Sequence, residues 1–207
     1  RIIAVDKTGT ITKNELTVER VALPADVFTV SGNGYEPTGE VHRNDQRIDP
    51  ATHIDLLMLG RMSALVSNGH AVYDDGEKRW RVLGDPTEAA LTVFAEKLGF
   101  HPEALKQEFP RLAELPFDSR TKYHATVNTF GDGPLLSVVG AAEVVLGGAT
   151  ARWKHGNRIA WLPTERLALE KTITAMSADG LRVLAFATKQ VSGRELHPRD
   201  VSDLAFV

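Results

Sequence analysis

Residues 112–139 read LAELPFDSRTKYHATVNTFGDGPLLSVV. Three runs rich in apolar and β-forming residues, Leu112–Phe117, Lys122–Phe130 and Leu135–Val139, are broken by two clusters of turn formers. Gly131-Asp132-Gly133-Pro134 supplies a hairpin turn, so the second and third runs predict an antiparallel pair. Working outward, Leu56, Leu59, Met62 or Ser63, and Val66 recur at helical spacing and predict a helix over about 52–67, capped by Thr52 with Asp55. Trp80–Leu83 reads as a short strand. Asp85-Pro86-Thr87-Glu88 then opens a second helix, with Asp85 as N-cap, Pro86 in the first turn and Glu88 closing a capping box. Its face is Ala90, Leu91, Phe94 and Leu98, and Gly99 ends it. Downstream, residues 141–146 and 164–178 predict helices, the second stopped by Gly180. Val18–Leu23, Val27–Val30, Leu181–Val191 and Leu204–Val207 complete the strands. Antiparallel strands with helices laid around them make an α+β fold, mainly an antiparallel β-sheet flanked by helices.

The 207 residues carry 43% hydrophobic side chains, enough for a core, and a net charge of −3 that argues against a nucleic-acid partner. Cysteine is absent, which excludes disulfide scaffolds and thiolate metal sites. Seven histidines are scattered without metal-ligand spacing. No apolar run approaches the roughly 20 residues of a membrane helix. Arg1 leads at once into Ile2–Val5, a buried-strand pattern with no lead-in and no signal peptide, so a soluble piece of a longer protein is expected.

Ile2–Val5 ends at Asp6, in the run Asp6-Lys7-Thr8-Gly9-Thr10-Ile11-Thr12. A carboxylate at the carboxyl end of a buried parallel strand lies where open α/β sheets hold ligands. There it can attack phosphorus and form an aspartyl phosphate, with Lys7, Thr8 and the turn amides absorbing developing charge. The bland alternative is an Asp that caps a turn.

The seven residues from Asp6 resemble the phosphorylation motif of P-type ATPases, members of the haloacid-dehalogenase-like group. The resemblance implies that Asp6 accepts the γ-phosphoryl group of ATP and that Asp6 and the Thr8 carbonyl hold Mg²⁺. Phosphatases of that group carry a second Asp at the position of Thr8, so Thr8 suits a long-lived phosphoenzyme. Further motifs follow in the family's order. Gly32-Asn33-Gly34-Tyr35-Glu36-Pro37-Thr38-Gly39 is similar to the start of the nucleotide domain in the calcium and sodium pump subgroup. In Gly84–Leu91 the resemblance places Glu88 against the adenine amino group. In Phe117-Asp118-Ser119-Arg120-Thr121-Lys122 it places Phe117 on the adenine face and Lys122 near the nucleotide. In Gly180–Ala187 it turns Arg182 toward the phosphates. The plain readings are a capping residue for Glu88, a core side chain for Phe117, a solvated charge for Lys122 and an outward strand residue for Arg182.

Val138-Val139-Gly140-Ala141-Ala142-Glu143 departs from the family's Lys-Gly-Ala-Pro-Glu, with Val139 at the lysine position and Ala142 at the proline. A hydrogen bond to a charged group is worth about 1.5–3 kcal/mol, so its loss predicts roughly ten- to hundredfold weaker ATP binding and a gain on Val139→Lys. Val139 and Gly140 nonetheless stay in the expected nucleotide site. The family's second Mg²⁺ motif is missing: Gly131-Asp132-Gly133 is its only near match and reads as a hairpin. The resemblance thus implies a phosphorylation-domain stub over 1–16, a nucleotide-binding domain over 17–203 and a return hinge over 204–207. The piece would bind ATP without turnover. The intact enzyme would sit in the cell membrane with this portion on the cytoplasmic side, alongside its own phosphorylation, actuator and membrane domains. Its cargo would be a cation, Ca²⁺ first. Two alternatives are a soluble haloacid-dehalogenase-like phosphohydrolase and a non-catalytic module whose adenine pocket has decayed.

Overall fold

The computed structural model describes residues 15–24, 26–131 and 133–207. Asp6, Lys7 and Thr8, and with them the expected phosphorylation-domain stub, lie outside the described residues.

Three β-sheets and five α-helices form among the described residues. Strands β1 (Arg20–Ala22), β2 (Val27–Val30), β3 (Val41–Arg43) and β4 (Gln46–Ile48) form an antiparallel four-stranded meander. Asn44 and Asp45 take positive φ between β3 and β4, the backbone a tight hairpin needs. Helix α1 (Ile54–Val66) follows. The expected cap at Thr52 is corrected: Asp49 caps a 3₁₀ turn over Pro50–Thr52, accepting from the Ala51 amide at 2.9 Å, and α1 starts after it without a side-chain cap. Hairpin β5 (His70–Asp74) and β6 (Arg79–Leu83) leads into α2 (Pro86–Lys97) and α3 (Pro102–Glu108).

The large sheet holds β7 (Arg111–Asp118), β8 (Tyr123–Asn128), β9 (Leu135–Ala141), β10 (Ala149–Lys154), β11 (Asn157–Ala160), β12 (Leu184–Gln190) and β13 (Leu204–Phe206). Its order is β11-β10-β13-β12-β9-β8-β7, and only β10 and β13 run parallel. Helices α4 (Ala142–Gly148) and α5 (Pro163–Ala178) are set between its strands in sequence. The α+β, mainly antiparallel fold class expected from the sequence is what forms. The strand expected at Leu204–Val207 forms as Leu204–Phe206, an interior strand buried between β10 and β12.

Side-chain alternation along β9 places two cores back to back. Leu135 and Val139 join Leu56, Leu59, Met62, Leu91, Phe94 and Phe186 on the α1–α2 side. Leu136 and Val138 join Ala125, Val145, Leu146 and Leu169 on the α4–α5 side. Each fully buried Leu, Phe or Met side chain contributes about 1.5–3 kcal/mol. Nine of the thirteen residues of α1 are buried, because it lies under the sheet with α2 and α3 against it. On β8 the inner face toward α1 is polar: His124, Thr126 and Asn128 are all buried.

Candidate nucleotide-binding site

Of the sequence-predicted residues among those described, Phe117, Lys122, Val139, Gly140 and Arg182 lie toward one end of the large sheet, and Glu88 lies on α2. The register carries a single row across four strands: Asp118 opposite Tyr123, Tyr123 opposite Gly140, Gly140 opposite Ala185. Phe117 and Lys122 flank the row on β7 and the β7–β8 turn, Val139 adjoins it on β9, and Arg182 precedes it just before β12.

Phe117 is 57% exposed in the irregularity of β7 between Leu115 and Asp118. It is therefore no core side chain. An exposed aromatic face at a strand end is a platform on which a base can stack. The β7–β8 turn is closed by the Lys122 amide donating to the Asp118 carbonyl at 2.6 Å, which drives Lys122 to φ +59°. A non-glycine residue in that region is uncommon, and such positions gather at functional sites. The Lys122 ammonium projects into solvent and pairs with Glu143 at 3.2 Å, where both side chains are more than half exposed. Next to it Arg120 clasps Asp118 at 2.7 Å and, by donating side-chain and backbone hydrogen bonds, holds that carboxyl at about 2.

Gly140 is required by packing. A Cβ there would stand 2.7 Å from the Tyr123 Cα and 2.8 Å from its Cβ, and would run into the Lys122 carbonyl. That carbonyl accepts from the Ala141 amide at 2.9 Å, so the turn bearing Lys122 is pinned directly on β9.

Glu88 does more than cap. Asp85 caps α2 as expected, accepting from the Thr87 and Glu88 amides at 2.8 and 3.1 Å. The capping box does not close, because the Glu88 carboxylate turns outward to a different loop. Its Oε2 accepts from the Asn68 and Gly69 amides at 2.8 and 3.0 Å. Its Oε1 faces His124 Nδ1 at 3.1 Å, off the ideal hydrogen-bond direction. Burial pushes this carboxyl up, but the His124 contact and the two amides outweigh it and hold Glu88 below its ordinary value. A carboxylate oxygen accepts about two donors. Oε2 is filled, while Oε1 keeps an acceptor direction free. The partly exposed carboxylate can therefore take one N–H from a ligand, which suits the amino group of adenine.

Sequence reasoning missed His124. Its ring is 3% exposed, and its Nε2 meets Glu114 Oε1 at 2.8 Å. Glu114 in turn receives Asn68 Nδ2 at 2.9 Å and Arg111 Nη1 at 2.9 Å. Burial pushes the Glu114 carboxyl up, and the Asn68, Arg111 and His124 contacts bring it below its ordinary value. Glu88, His124, Glu114, Arg111 and Asn68 thus form one polar network joining α2, β8, β7 and the α1–β5 loop. The signal available in the sequence was a lone histidine inside a strand otherwise built of small and β-branched residues.

A mainly apolar cavity of 370 Å³ lies beneath Glu15–Val21, walled by α1, α2, α5 and residues 180–186. Of the predicted residues it includes only Arg182, and it touches the row through Ala185. Phe117, Glu88 and Lys122 are the aromatic, carboxylate and cationic groups that a nucleotide site would use. Among the described residues no group of three His, Asp or Glu could hold a metal ion.

A family model of the P-type ATPase cytoplasmic domain N matches residues 55–206. The chain belongs to the P-type ATPases. Its relatives include the probable cation-transporting ATPase F of Mycobacterium tuberculosis, 34% identical over 184 residues, covering 89% of this chain and 20% of that protein. The cation-transporting ATPase pma1 of Synechocystis is 33% identical over 211 residues, 98% of this chain and 22% of the relative. The calcium-transporting ATPase 1 of Lactococcus lactis is 31% identical over 208 residues, 100% and 21%. The chain thus spans about a fifth of the length of these P-type ATPases. Among the described residues no helix is long and apolar enough to cross a membrane.

Proposed function

We propose that this chain is the ATP-binding part of a cation-transporting P-type ATPase. The observation that carries the reading is the grouping of exposed Phe117 and the exposed ammonium of Lys122 at one end of β7–β8 with the Glu88 carboxylate, which reaches β8 from α2 with one acceptor to spare. Adenine stacks on Phe117 and donates its amino group to Glu88, Val139 and Gly140 border the base, and Lys122 and Arg182 meet the phosphates. In the intact enzyme the Asp6 carboxylate attacks the γ-phosphorus. The bond from phosphorus to the bridging oxygen breaks, and ADP departs with the electron pair. Mg²⁺, when bound, would be held in part by Asp6 and the Thr8 carbonyl and would neutralise charge on the phosphates, with Lys7 offsetting more of it. The phosphoenzyme drives transport of a cation through membrane domains outside this chain. Ca²⁺ is the first cargo to test, because several relatives carry calcium transport in their names. The chain alone binds ATP without turnover.

Phe117→Ala is expected to weaken ATP binding by about ten- to hundredfold, since stacking is worth about 1–3 kcal/mol. Its melting temperature should stay close to wild type, because the ring is exposed. Calorimetric titration measures the first and thermal denaturation the second. Unchanged affinity would remove the base platform from the account. For the intact enzyme, the expected sign of transfer is acid-stable, hydroxylamine-labile phosphate at Asp6 on addition of Mg²⁺ and ATP, and its absence ends that part of the proposal.

A further inference from the structure

In the register of the large sheet, Val139 stands directly opposite His124. Antiparallel partners hold their Cβ atoms about 4.5–5.5 Å apart on the same face. The position where the sequence lacks the expected lysine therefore adjoins a buried imidazole that already faces the Glu88 carboxylate. Among the described residues, no other cationic side chain forms an ion pair with Glu88. Two residues along, Lys122 is engaged with Glu143 instead.

We infer that His124 is the positioning residue of the base site: its buried ring, on β8 directly opposite Val139, holds Glu88 in the orientation that receives a nucleotide amino group. The inference rests on the nucleotide-binding reading above. His124 meets two carboxylates, Glu88 from α2 and Glu114 from β7, and it can donate to both only when each ring nitrogen carries a proton. Arg111 stands on the far side of Glu114, and Asn68 bridges the two glutamates through its amide and side chain. Nδ1, buried and without a well-formed hydrogen bond, points at the one Glu88 oxygen with acceptor capacity to spare. Without the ring, Glu88 loses the contact that aims it, and ATP affinity falls.

The sequence alone predicted a gain on Val139→Lys. With His124 in place, that change adds an ammonium beside a carboxylate the ring already holds, and the gain is expected only when the ring is absent.

The test is ATP titration calorimetry on wild type, His124→Met, Val139→Lys and the double variant, with circular dichroism as the folding control. His124→Met is expected to weaken ATP binding roughly tenfold, the effect of losing a hydrogen-bond partner of a charged group. Val139→Lys should stay within about threefold of wild type, and the double variant should recover the lost affinity, a rescue that a merely structural role for the ring would not give. Equal affinities for wild type and His124→Met would overturn the inference while leaving the nucleotide site standing. Absence of ATP binding to wild type would overturn both. If His124→Met does not fold, the ring resonances of His124 in the wild type decide. They must shift at saturating ATP, and a ring unmoved by ATP overturns the inference.

Discussion

Replacing Glu88 by alanine is expected to destabilise the chain by about 3 kcal/mol and to remove measurable ATP binding. The change leaves the Asn68 and Gly69 amides without their acceptor and His124 with Glu114 alone. An unsatisfied buried donor costs about 1–3 kcal/mol, and breaking a buried ion pair from one side costs about 3–5 kcal/mol. The lower part of the combined range applies, since the carboxylate is partly open to water. For a domain of this size the loss corresponds to a drop in melting temperature of roughly 6–12 °C. Glu88→Gln keeps one acceptor oxygen and should recover part of the stability. The same network sets the acid limb of stability. Glu88 and Glu114 are both held below the ordinary glutamate value of 4.5 in the folded state. Their contribution is therefore fully present above that value and is lost as pH falls through it toward the folded-state values. Chemical denaturation from pH 7 to 3 should show a steep decline in wild type and a shallower one in Glu88→Ala. Parallel curves would mean that the network contributes nothing to the fold.

Gly140→Ala is expected to show the second large effect. The atoms that its Cβ would meet belong to the Lys122 carbonyl and to Tyr123, so relief requires β8 and β9 to separate. Overpacking of this kind costs about 1–3 kcal/mol. It also strains the Ala141-to-Lys122 hydrogen bond that pins the β7–β8 turn, so ATP affinity should fall by at least about tenfold along with stability. Gly147→Ala is the matched control, because nothing lies within 4 Å of the atom it adds. Thermal denaturation and ATP titration of the two variants give a direct comparison. Equal behaviour would show that the close approach at Gly140 can be relieved without moving the site.

How much of this was legible in the sequence differs by element, for physical reasons. Helix α2 announced itself because Asp85, Pro86 and Gly99 act locally, within a few residues of the backbone they shape. The β8–β9 hairpin was legible for the same reason. Hairpins β3–β4 and β10–β11 were not read, because VHRNDQRI and ARWKHGNRIA lack clean apolar alternation. Their turns instead rely on Asn44, Asp45 and His155 at positive φ, with Gly156. Helix α3 was missed as a single short stretch with only Pro102 and Leu105 buried. In the site, Phe117, Glu88 and Lys122 were named from their motifs. The partners of Glu88 were not, since they are created by the packing of α2 against the α1–β5 loop and β8. That packing also decided that Glu88 would bond across to Asn68 and Gly69 instead of back to its own helix start, and that a histidine on a neighbouring strand would hold it.

The most direct test of the account is an amide chemical-shift titration of the chain with ATP, run beside GTP. The account predicts saturable shifts at Glu88, Phe117, Lys122, Val139, Gly140 and Arg182, and weaker binding of GTP, whose base offers an acceptor where adenine offers its amino donor to Glu88. Shifts confined to other surfaces, or none at millimolar ATP, would contradict it.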